Sequence, residues 1–393
     1  MDLPGAPEKS YNYYVANYRV LLLGGGSGGH VFPLIAVADS LKEKSAQIGT
    51  PLELMVMGEG DFLKNACSER GLLFKPIMSG KMRRYFSVLN FLDIFKIPVG
   101  LLQSLWHIFW FMPDVVFSKG GYASLPGALV SWIFFIPLYI HEYDSMPGLS
   151  NKIIGGMARA VFISFKSAEK YFKSGKTFLV GNPVRKDLFT ADRAASSQAL
   201  GLDQTKKTVL VIGGSQGAQK VNEIVLNSLV MMASKFQIIH QCGQGQYNAV
   251  KAEMDRLTKE GEGHYADNIR NNYKLFPFLD SQKYAAALAA CDIVISRAGA
   301  GSIAEIALSG KPAILIPLST NASRGEQLTN AIEFAKYGAV YIEEENLNPN
   351  ILINQIEALF EPVKYQDVSE KIKTFASPDA ADKIAATLLG QSV

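Results

Sequence analysis

Three titratable side chains follow an apolar run in the first half of the chain. The stretch YIHEYDSMPGLSNK, Tyr139–Lys152, carries His141, Glu142 and Asp144 where a run with the composition of a buried strand ends. Acid–base residues in parallel sheets act at the carboxyl ends of strands. Strand alternation predicts His141 on one side of the sheet and Glu142 with Asp144 on the other. The sequence offers no second cluster of ligands, so we predict no metal site.

A fourth candidate, His30, stands beside a glycine-rich turn. The stretch LLLGGGSGGHVFPLIAVADSL, Leu21–Leu41, joins an apolar run to a helical pattern through five glycines in six positions. Glycine permits close backbone approach, and a helix start presents unpaired N–H groups with partial positive charge. We therefore expect an anion, most often a phosphate, at this turn. Gly24, Gly26 and Gly29 also fit the dinucleotide fingerprint, and a tight turn without any ligand remains a third interpretation.

The same pattern returns in the second half. The stretch KTVLVIGGSQGAQKVNEIVLNSL, Lys207–Leu229, again places a glycine turn between a strand and a helix. Ser215 would add a hydroxyl to the N–H groups that hold a phosphate, although a plain helix start gives the same pattern. The turn lacks the Lys-Ser/Thr pair of a nucleotide-binding P-loop.

A third turn supplies a carboxylate. In SRAGAGSIAEIALSGKPAILIPL, Ser296–Leu318, we expect a helix from about Ser302 with Glu305 in its first turn. The helix dipole favours a carboxylate there, and it would accept both hydroxyls of a ribose; a surface glutamate is the alternative. In the polar loop that follows, Gln327 can reach the hydroxyls of a sugar, or it can belong to a solvated helix start.

Short apolar runs alternate with helical segments throughout, and glycine follows several of the runs. This alternation predicts an α/β fold with two Rossmann-type, doubly wound parallel-sheet domains that face a cleft. The stretch VGNPVRKD, which contains Gly181 and Pro183, is the expected linker. The 393 residues, 48% of them hydrophobic, suffice for two large cores.

Composition excludes several classes of function. A net charge of +3 does not favour a nucleic-acid-binding role. Cys67, Cys242 and Cys291 lie far apart without zinc spacing, and such a sparse, odd set suits a reducing compartment. The N-terminal stretch carries acids and no apolar core, so we expect no signal peptide.

Two apolar stretches raise the question of a membrane. In Ser79–Asp114, a basic cluster precedes two apolar-aromatic segments split by Pro98, and Trp106 and Trp110 lie outside a narrow polar stripe. This pattern favours a membrane-surface element, with a core helix pair as the alternative. Ala123–Ile140 is uncharged for 18 residues, but prolines interrupt it. We predict a buried helix followed by a strand there, not a membrane span.

Taken together and in order, these motifs resemble the MurG family of bacterial transferases. The similarity rests on GGGSGGHVFPLIAVA, PDVVFSKGGYASLPG, IPLYIHEYDSMPGLSNK, VGNPVR, VLVIGGSQGAQKVN and SRAGAGSIAEIALSGKPAILIPL. It implies a GT-B glycosyltransferase fold with an acceptor- and membrane-binding domain over 1–183, a donor domain over 184–363 and a final helix, 364–393, that crosses back to the first domain. It also implies transfer of N-acetylglucosamine from UDP-N-acetylglucosamine to undecaprenyl-diphospho-muramoyl-pentapeptide in peptidoglycan synthesis, on the cytoplasmic face of the membrane.

The resemblance also assigns roles to residues. His30 is the preferred general base, since its ordinary pKa near 6.5 suits the task, and Glu142 is the rival. The implied donor-binding residues are Ser27, Gly28, Gly29, Asp144, Arg185, Ser215, Leu279, Ala300, Gly301, Ser302, Ile303, Ala304, Glu305 and Gln327. The implied acceptor and membrane residues are Gly26, Lys81, Arg83, Arg84, Tyr122, Trp106 and Trp110.

This chain departs from the family pattern at several positions. Asp144 stands where many members have an asparagine, and an ionised aspartate can only accept hydrogen bonds. Ser27 replaces the usual threonine and keeps the hydroxyl. Ala298 stands where serine is common, and Glu326 replaces a neutral residue or histidine beside Gln327.

The expected reaction is one displacement that inverts the anomeric centre without metal or cofactor. Helix N-termini and Arg185 would stabilise the leaving diphosphate. A nicotinamide-dependent oxidoreductase is the alternative, but Glu59 comes later than the usual acid of that fingerprint. A non-catalytic nucleotide-sugar sensor at the membrane is the third hypothesis.

Overall fold

The structure is a computed structural model that describes residues 17–25, 28–80, 88–214, 217–260, 264–319 and 323–391, with the backbone alone for residues 88–95 and 260. The described chain divides into two compact units. The first contains the residues up to Arg185 and those from Ser377 onward, and the second contains Lys186–Ala376. The boundary therefore falls two residues after the one expected at 183.

The first unit is built on a parallel sheet. Its strands among the described residues are β1 (Tyr18–Gly25), β2 (Leu52–Glu59), β3 (Leu73–Pro76), β4 (Val115–Ser118), β5 (Leu138–Glu142), β6 (Ala160–Ile163) and β7 (Thr177–Leu179). They lie in the order β3-β2-β1-β4-β5-β6-β7. Consecutive apolar residues such as Leu21, Leu22 and Leu23 are buried on alternate faces, because helices cover both sides of the sheet. The order reverses between β1 and β4, the position where such sheets bind ligands.

Helices follow most of these strands. They are α1 (Gly28–Gln47), α2 (Asp61–Glu69), α3 (Val88–Phe111), α4 (Leu125–Ile133) and α5 (Leu149–Met157). The expectation of a buried helix and then a strand over Ala123–Ile140 is confirmed by α4 and β5. The expected break at Pro98 is wrong, since α3 continues through it; the ring of Pro98 is exposed. None of the helices in the described part of the chain is long and apolar enough to cross a membrane.

The second unit repeats this architecture. Its described strands are β8 (Thr208–Ile212), β9 (Gln237–Gln241), β10 (Tyr273–Phe276), β11 (Ile293–Ser296), β12 (Ala313–Leu315) and β13 (Val340–Tyr341), all parallel in the order β10-β9-β8-β11-β12-β13. The accompanying helices are α6 (Arg193–Ala199), α7 (Gln219–Lys235), α8 (Tyr247–Glu260), α9 (His264–Asn272), α10 (Ser281–Ala290), α11 (Ala300–Ser309), α12 (Glu326–Ala335), α13 (Pro349–Phe360) and α14 (Pro362–Phe375). The strand order reverses between β8 and β11, the strands that lead into the second and third glycine turns.

The C-terminal segment returns to the first unit, but over fewer residues than the expected 364–393. Helix α14 belongs to the second unit and packs on α11 and α13. Only α15 (Ala380–Leu388) packs on α1, where the Ser40 hydroxyl donates to Asp382 Oδ1 at 2.7 Å and the Tyr18 hydroxyl donates to the Leu388 carbonyl. The prediction placed the crossing too early, because the apolar face of α14 is used within the second unit.

Candidate functional site

The first glycine turn ends at the start of α1. Gly26 and Ser27 lie outside the described residues, whereas Gly28 and Gly29 open the helix. The Arg185 guanidinium lies over the Phe32 ring at 4.4 Å, one turn into α1. Arg185 therefore belongs to the first unit and stands beside the first turn, although the expected domain boundary grouped it with the second.

His30 is held by a tyrosine that the sequence analysis did not select. The Tyr143 hydroxyl is hydrogen-bonded to Nε2 of His30 at 3.0 Å, and the two rings meet edge to face with centroids 5.0 Å apart. Gly121 lies against the same imidazole: a Cβ at this position would stand 3.6 Å from its Cε1. The structure thus joins the first turn, the end of β4 and the end of β5 around His30.

Glu142 is buried and its carboxylate is occupied. Oε1 accepts the Asp144 N–H at 2.9 Å, and Oε2 accepts the Asn151 amide at 2.7 Å. Asp144 is only 8% exposed. Asn151, on α5, was not selected from the sequence; it packs over Gly120, where a Cβ would meet Asn151 Oδ1 at 2.0 Å. Glu142 therefore shapes this loop by accepting two hydrogen bonds.

His141 is a buried neutral side chain. Its Nε2 donates to the Gly181 carbonyl at 2.8 Å, which fixes the tautomer. Burial, followed by the charge of Lys119, holds the pKa of His141 well below 6.5 despite that hydrogen bond. His141 and Glu142 end β5, and both have hydrogen-bond partners within the protein.

The second glycine turn precedes α7. Ser215 lies outside the described residues. Gly217 has φ +78°, and a Cβ there would stand 2.2 Å from the Cys242 carbonyl oxygen, so the turn requires glycine. Nearby, Gln241 donates to the Gly214 carbonyl at 3.1 Å and accepts the Leu279 N–H at 2.9 Å. Because Gln241 already accepts the Leu279 N–H, a ligand that binds the backbone of Leu279 would bind its carbonyl oxygen.

The third turn leaves open backbone at the start of a helix. Helix α11 begins at Ala300, and its N-cap residue, Gly299, offers no side-chain cap. A Cβ at Gly299 or Gly301 would meet nothing within 4 Å. Ser302 is half-buried, while Ile303 and Ala304 turn into the core. The backbone N–H groups at the start of α11 thus face a space that a ligand can enter.

Glu305 lies in the second turn of α11, because the helix starts two residues earlier than expected. The prediction that it occupies the first turn is wrong, and the helix dipole falls off beyond that turn. What holds the carboxylate is instead the Tyr284 hydroxyl from α10, which donates to Glu305 Oε2 at 2.7 Å. The sequence does not reveal Tyr284 as a partner of Glu305, since the two residues lie in different helices, one before β11 in the chain and one after it.

The loop before α12 is also anchored. Gln327 Oε1 accepts the Leu318 N–H at 3.0 Å, and this orients the side chain of Gln327 in the first turn of the helix. Arg297, directly after β11, pairs with Glu344 at 2.6 Å and donates to the Ile316 carbonyl at 3.1 Å. The hydrogen bond to Ile316 joins the ends of β11 and β12, and the ion pair joins the end of β11 to the segment after β13.

The apolar face of α3 points to solvent. Leu102, Trp106 and Trp110 are each more than 60% exposed, whereas Gly100 and Ser104 of the polar stripe are buried. After α4, which packs beside α3, Phe135 is 94% exposed. The basic residues Lys81, Arg83 and Arg84 lie outside the described residues, and Tyr122 opens a short 3-10 helix after β4.

No group of three or more His, Cys, Asp or Glu suited to a metal ion occurs among the described residues. Cys67, Cys242 and Cys291 are buried and free, and burial raises the pKa of each thiol.

Two repeated Rossmann-type units with glycine turns at their switch points define the glycosyltransferase fold called GT-B. Residues 20–163 match the N-terminal domain of glycosyltransferase family 28, and residues 208–384 match its C-terminal domain. The chain belongs to glycosyltransferase family 28, and it is a glycosyltransferase.

Its curated relatives bear a more particular name. A protein from Legionella pneumophila is 35% identical over 375 residues, which cover 95% of this chain and 97% of the relative. One from Treponema pallidum is 35% identical and covers 94% of both chains. Each is named UDP-N-acetylglucosamine–N-acetylmuramyl-(pentapeptide) pyrophosphoryl-undecaprenol N-acetylglucosamine transferase.

Solved structures agree in fold. MurG of Acinetobacter baumannii superposes with a TM-score of 0.70 at 24% identity, covering 95% of this chain and 99% of that one. A UDP-GlcNAc 2-epimerase from Neisseria meningitidis, bound to UDP-GlcNAc, superposes with a TM-score of 0.66 at 16% identity, covering 94% and 99%. The comparisons do not support the oxidoreductase alternative.

Proposed function

We propose that the protein transfers N-acetylglucosamine from UDP-N-acetylglucosamine to the 4-hydroxyl of the muramoyl sugar in undecaprenyl-diphospho-muramoyl-pentapeptide. The observation that carries this proposal is the 35% identity, over 95% of the chain, to transferases named for these substrates. The geometry of each unit supports a division of roles in which the second binds the donor and the first binds the acceptor.

The donor role of the second unit rests on the start of α11. The uncapped helix start at Gly299–Gly301, with free space beside both glycines, suits the donor diphosphate. Glu305, oriented by Tyr284, would accept both ribose hydroxyls. The Leu279 carbonyl would accept the uracil N–H, and the Gln327 amide, anchored through its oxygen, would donate to the sugar. Ser215 would add its hydroxyl at the phosphates.

The catalytic role of the first unit rests on His30. As the acceptor oxygen bonds to the anomeric carbon, the bond to UDP breaks and the acceptor proton passes to a base. Tyr143 holds the His30 imidazole in place, whereas both oxygens of Glu142 already accept hydrogen bonds within the protein. His30 is therefore the base we propose. Glu142 keeps Asp144 and Asn151 in position.

Positive potential on the leaving diphosphate comes, in this proposal, from helix N-termini and Arg185 without a metal ion. Gly28 and Gly29 present the N-terminus of α1, and Arg185 lies one turn away on Phe32. Gly26, Ser27 and Tyr122 complete the proposed acceptor side. Neither a metal ion nor another cofactor takes part.

We further propose that the enzyme binds the cytoplasmic face of the membrane through α3. Trp106, Phe109 and Trp110 form an exposed aromatic surface, and indole rings favour the lipid–water interface. The cluster Lys81, Arg83 and Arg84 would add attraction to anionic lipids. This surface would bring the first unit to its lipid-linked acceptor.

The test is UDP release from UDP-N-acetylglucosamine, measured with and without a lipid-linked muramoyl acceptor. We expect release that depends on the acceptor, and a much lower rate with UDP-N-acetylgalactosamine, the 4-epimer. Acceptor-independent release, or equal rates with both epimers, would overturn the proposal. A titration with NADH, which should not bind, tests the oxidoreductase alternative directly.

A further inference from the structure

Lys119 is a buried cation that no assigned role uses. It follows β4 directly, and its N–H donates to the Leu23 carbonyl at 2.8 Å, which places it beside the end of β1. The side chain is completely buried. Among the described residues, its Nζ has no hydrogen-bond partner. An ammonium in such a place is costly unless neighbouring charges compensate it.

The compensation comes from the segment that follows β5. The Lys119 Nζ lies over the face of the Tyr143 ring, 4.1 Å from its centroid, in a cation–π contact. Glu142 and Asp144 interact with it electrostatically. Burial lowers the pKa of Lys119 from 10.5 to about 7, and the two carboxylates act in the opposite direction. Three consecutive residues, Glu142, Tyr143 and Asp144, thus interact with one ammonium.

The contact with Tyr143 links Lys119 to the proposed base. The same ring that receives the ammonium on its face carries the hydroxyl bonded to His30. The carboxylates also have fixed places, because Glu142 accepts the Asp144 N–H and the Asn151 amide. Lys119 places a positive charge near the buried carboxylates of Glu142 and Asp144, which would otherwise repel each other more strongly.

We propose that Lys119 is a positioning residue for the transfer reaction: its ammonium balances Glu142 and Asp144 and holds Tyr143 in the orientation that fixes His30. This inference rests on the proposed function. It also accounts for the aspartate at 144, since a carboxylate at that position is matched by a lysine at 119. Lys119 acts through Tyr143 and the carboxylates and touches no reacting atom.

A double-mutant cycle tests the charge balance. Lys119→Met should lower kcat by roughly tenfold or more, with little change in KM for UDP-N-acetylglucosamine, because the proposed contacts to the uracil, the ribose and the transferred sugar lie in the second unit. In an Asp144→Asn background the same substitution should cost several-fold less, because Lys119 then balances one carboxylate instead of two. Equal losses in both backgrounds would overturn the proposal, as would a loss confined to KM.

Lys176→Met is the matched control. Lys176 is a half-buried lysine of the same unit whose Nζ donates to the backbone carbonyls of Ala158 at 2.8 Å and Gly156 at 3.4 Å, so uncharged acceptors hold its ammonium. Its effect should be the same whether position 144 carries aspartate or asparagine. A cycle that couples Lys176 to position 144 as strongly as Lys119 would contradict the proposed specificity of the pair.

The same variants separate this inference from the proposed function. If the wild-type protein shows no acceptor-dependent UDP release, the proposed function fails, and the cycle is then measured as free energy of unfolding in urea. Coupling between positions 119 and 144 in that measurement supports the charge balance, and additivity overturns it. If Lys119→Met does not fold, the Lys119→Met/Asp144→Asn variant must fold; a double variant that is equally unfolded also overturns the proposal.

Discussion

The Tyr284 hydroxyl donates a 2.7 Å hydrogen bond to Glu305 Oε2, and this contact joins α10 to α11 at the carboxylate that we propose binds the ribose. A carboxylate in the second turn of a helix receives little help from the helix dipole. Tyr284 therefore supplies the orientation that the position of Glu305 in the helix does not.

Tyr284→Phe should raise KM for UDP-N-acetylglucosamine roughly tenfold with kcat nearly unchanged, since a hydrogen bond to a charged group contributes about 1.5–3 kcal/mol. Steady-state kinetics at saturating acceptor measure this change. Tyr365→Phe is the control, because the Tyr365 hydroxyl donates to a backbone carbonyl, that of Asp292, at 3.3 Å. With a 2′-deoxyribose donor the effect of Tyr284→Phe should shrink; an unchanged effect would separate Tyr284 from ribose binding.

Substitutions at His30 and Glu142 should differ in kind. His30→Ala removes the proposed base and should lower kcat about 10²- to 10⁴-fold without unfolding the protein. Glu142→Gln keeps the shape of the side chain but replaces one of the two accepting oxygens by an NH2 group, which cannot accept an N–H. One hydrogen bond is therefore lost, and the free energy of unfolding should fall as well as the rate. Kinetics and urea denaturation of both variants decide the matter. Near-normal turnover of His30→Ala would reject His30 as the base.

Gly120 tests the packing around this loop. Its φ is +89°, and a Cβ would overlap Asn151 Oδ1 at 2.0 Å. Gly120→Ala should therefore destabilise the fold by about 1–3 kcal/mol or more and also displace Asn151 from Glu142. Gly156→Ala, on an exposed position of α5 where a Cβ meets nothing within 4 Å, should instead stabilise by about 0.5–1 kcal/mol. Urea unfolding should show a lower free energy of unfolding than wild type for Gly120→Ala and a higher one for Gly156→Ala.

The sequence alone predicts most strands and glycine turns, but it predicts few of the side-chain contacts between them. Buried parallel strands are continuous apolar runs, so Val209–Ile212 and Ile293–Ser296 are recognisable without a structure. Glycine turns at strand ends likewise have a local cause. The start of α11 was placed two residues late, because Ala300 and Gly301 join the helix although the glycines suggested a loop.

The missed residues share a physical reason. Lys119, Tyr143, Asn151 and Tyr284 gain their importance only from partners on other elements, and no local pattern encodes such pairs. Lys119 was least visible, since a lysine after a strand is ordinarily solvated and only the packing shows that this one is buried. Glu142 is the opposite case, because the sequence overestimates its role. Its residue type and position suggest a general base, but both of its carboxylate oxygens accept hydrogen bonds within the protein.

His240 should make stability depend on pH in the acid range. Its Nε2 donates to Asn222 Oδ1 at 3.0 Å and its Nδ1 accepts the Tyr273 hydroxyl at 2.7 Å, because the Asn222 amide nitrogen already donates to the Cys242 carbonyl. The neutral ring is thus fully satisfied, and burial lowers the pKa of His240 from 6.5 to about 3.

Between pH 6.5 and about pH 3, the unfolded chain binds a proton at His240 that the folded protein does not. The contribution of neutral His240 to the free energy of unfolding is therefore complete above pH 6.5 and is lost as the pH falls toward 3. Urea denaturation of the wild-type protein and His240→Gln from about pH 7.5 to about pH 4 measures it. The difference in free energy of unfolding between the two should narrow as the pH falls. A difference that is constant over this range would contradict the assignment.

The exposed face of α3 should determine membrane binding. Trp106 and Trp110 are each more than 60% exposed, and burying roughly 100 Å² of each indole in lipid would contribute about 2.5 kcal/mol per ring. Trp106→Ser/Trp110→Ser should therefore reduce sedimentation with vesicles of anionic phospholipid by well over tenfold, while UDP binding in the second unit stays unchanged. Val363→Ser removes an 85% exposed apolar residue of the second unit and should have no effect on sedimentation. If the double tryptophan variant still sediments like the wild-type protein, α3 is not the membrane-binding surface, and the basic segment at Lys81–Arg84 becomes the element to test.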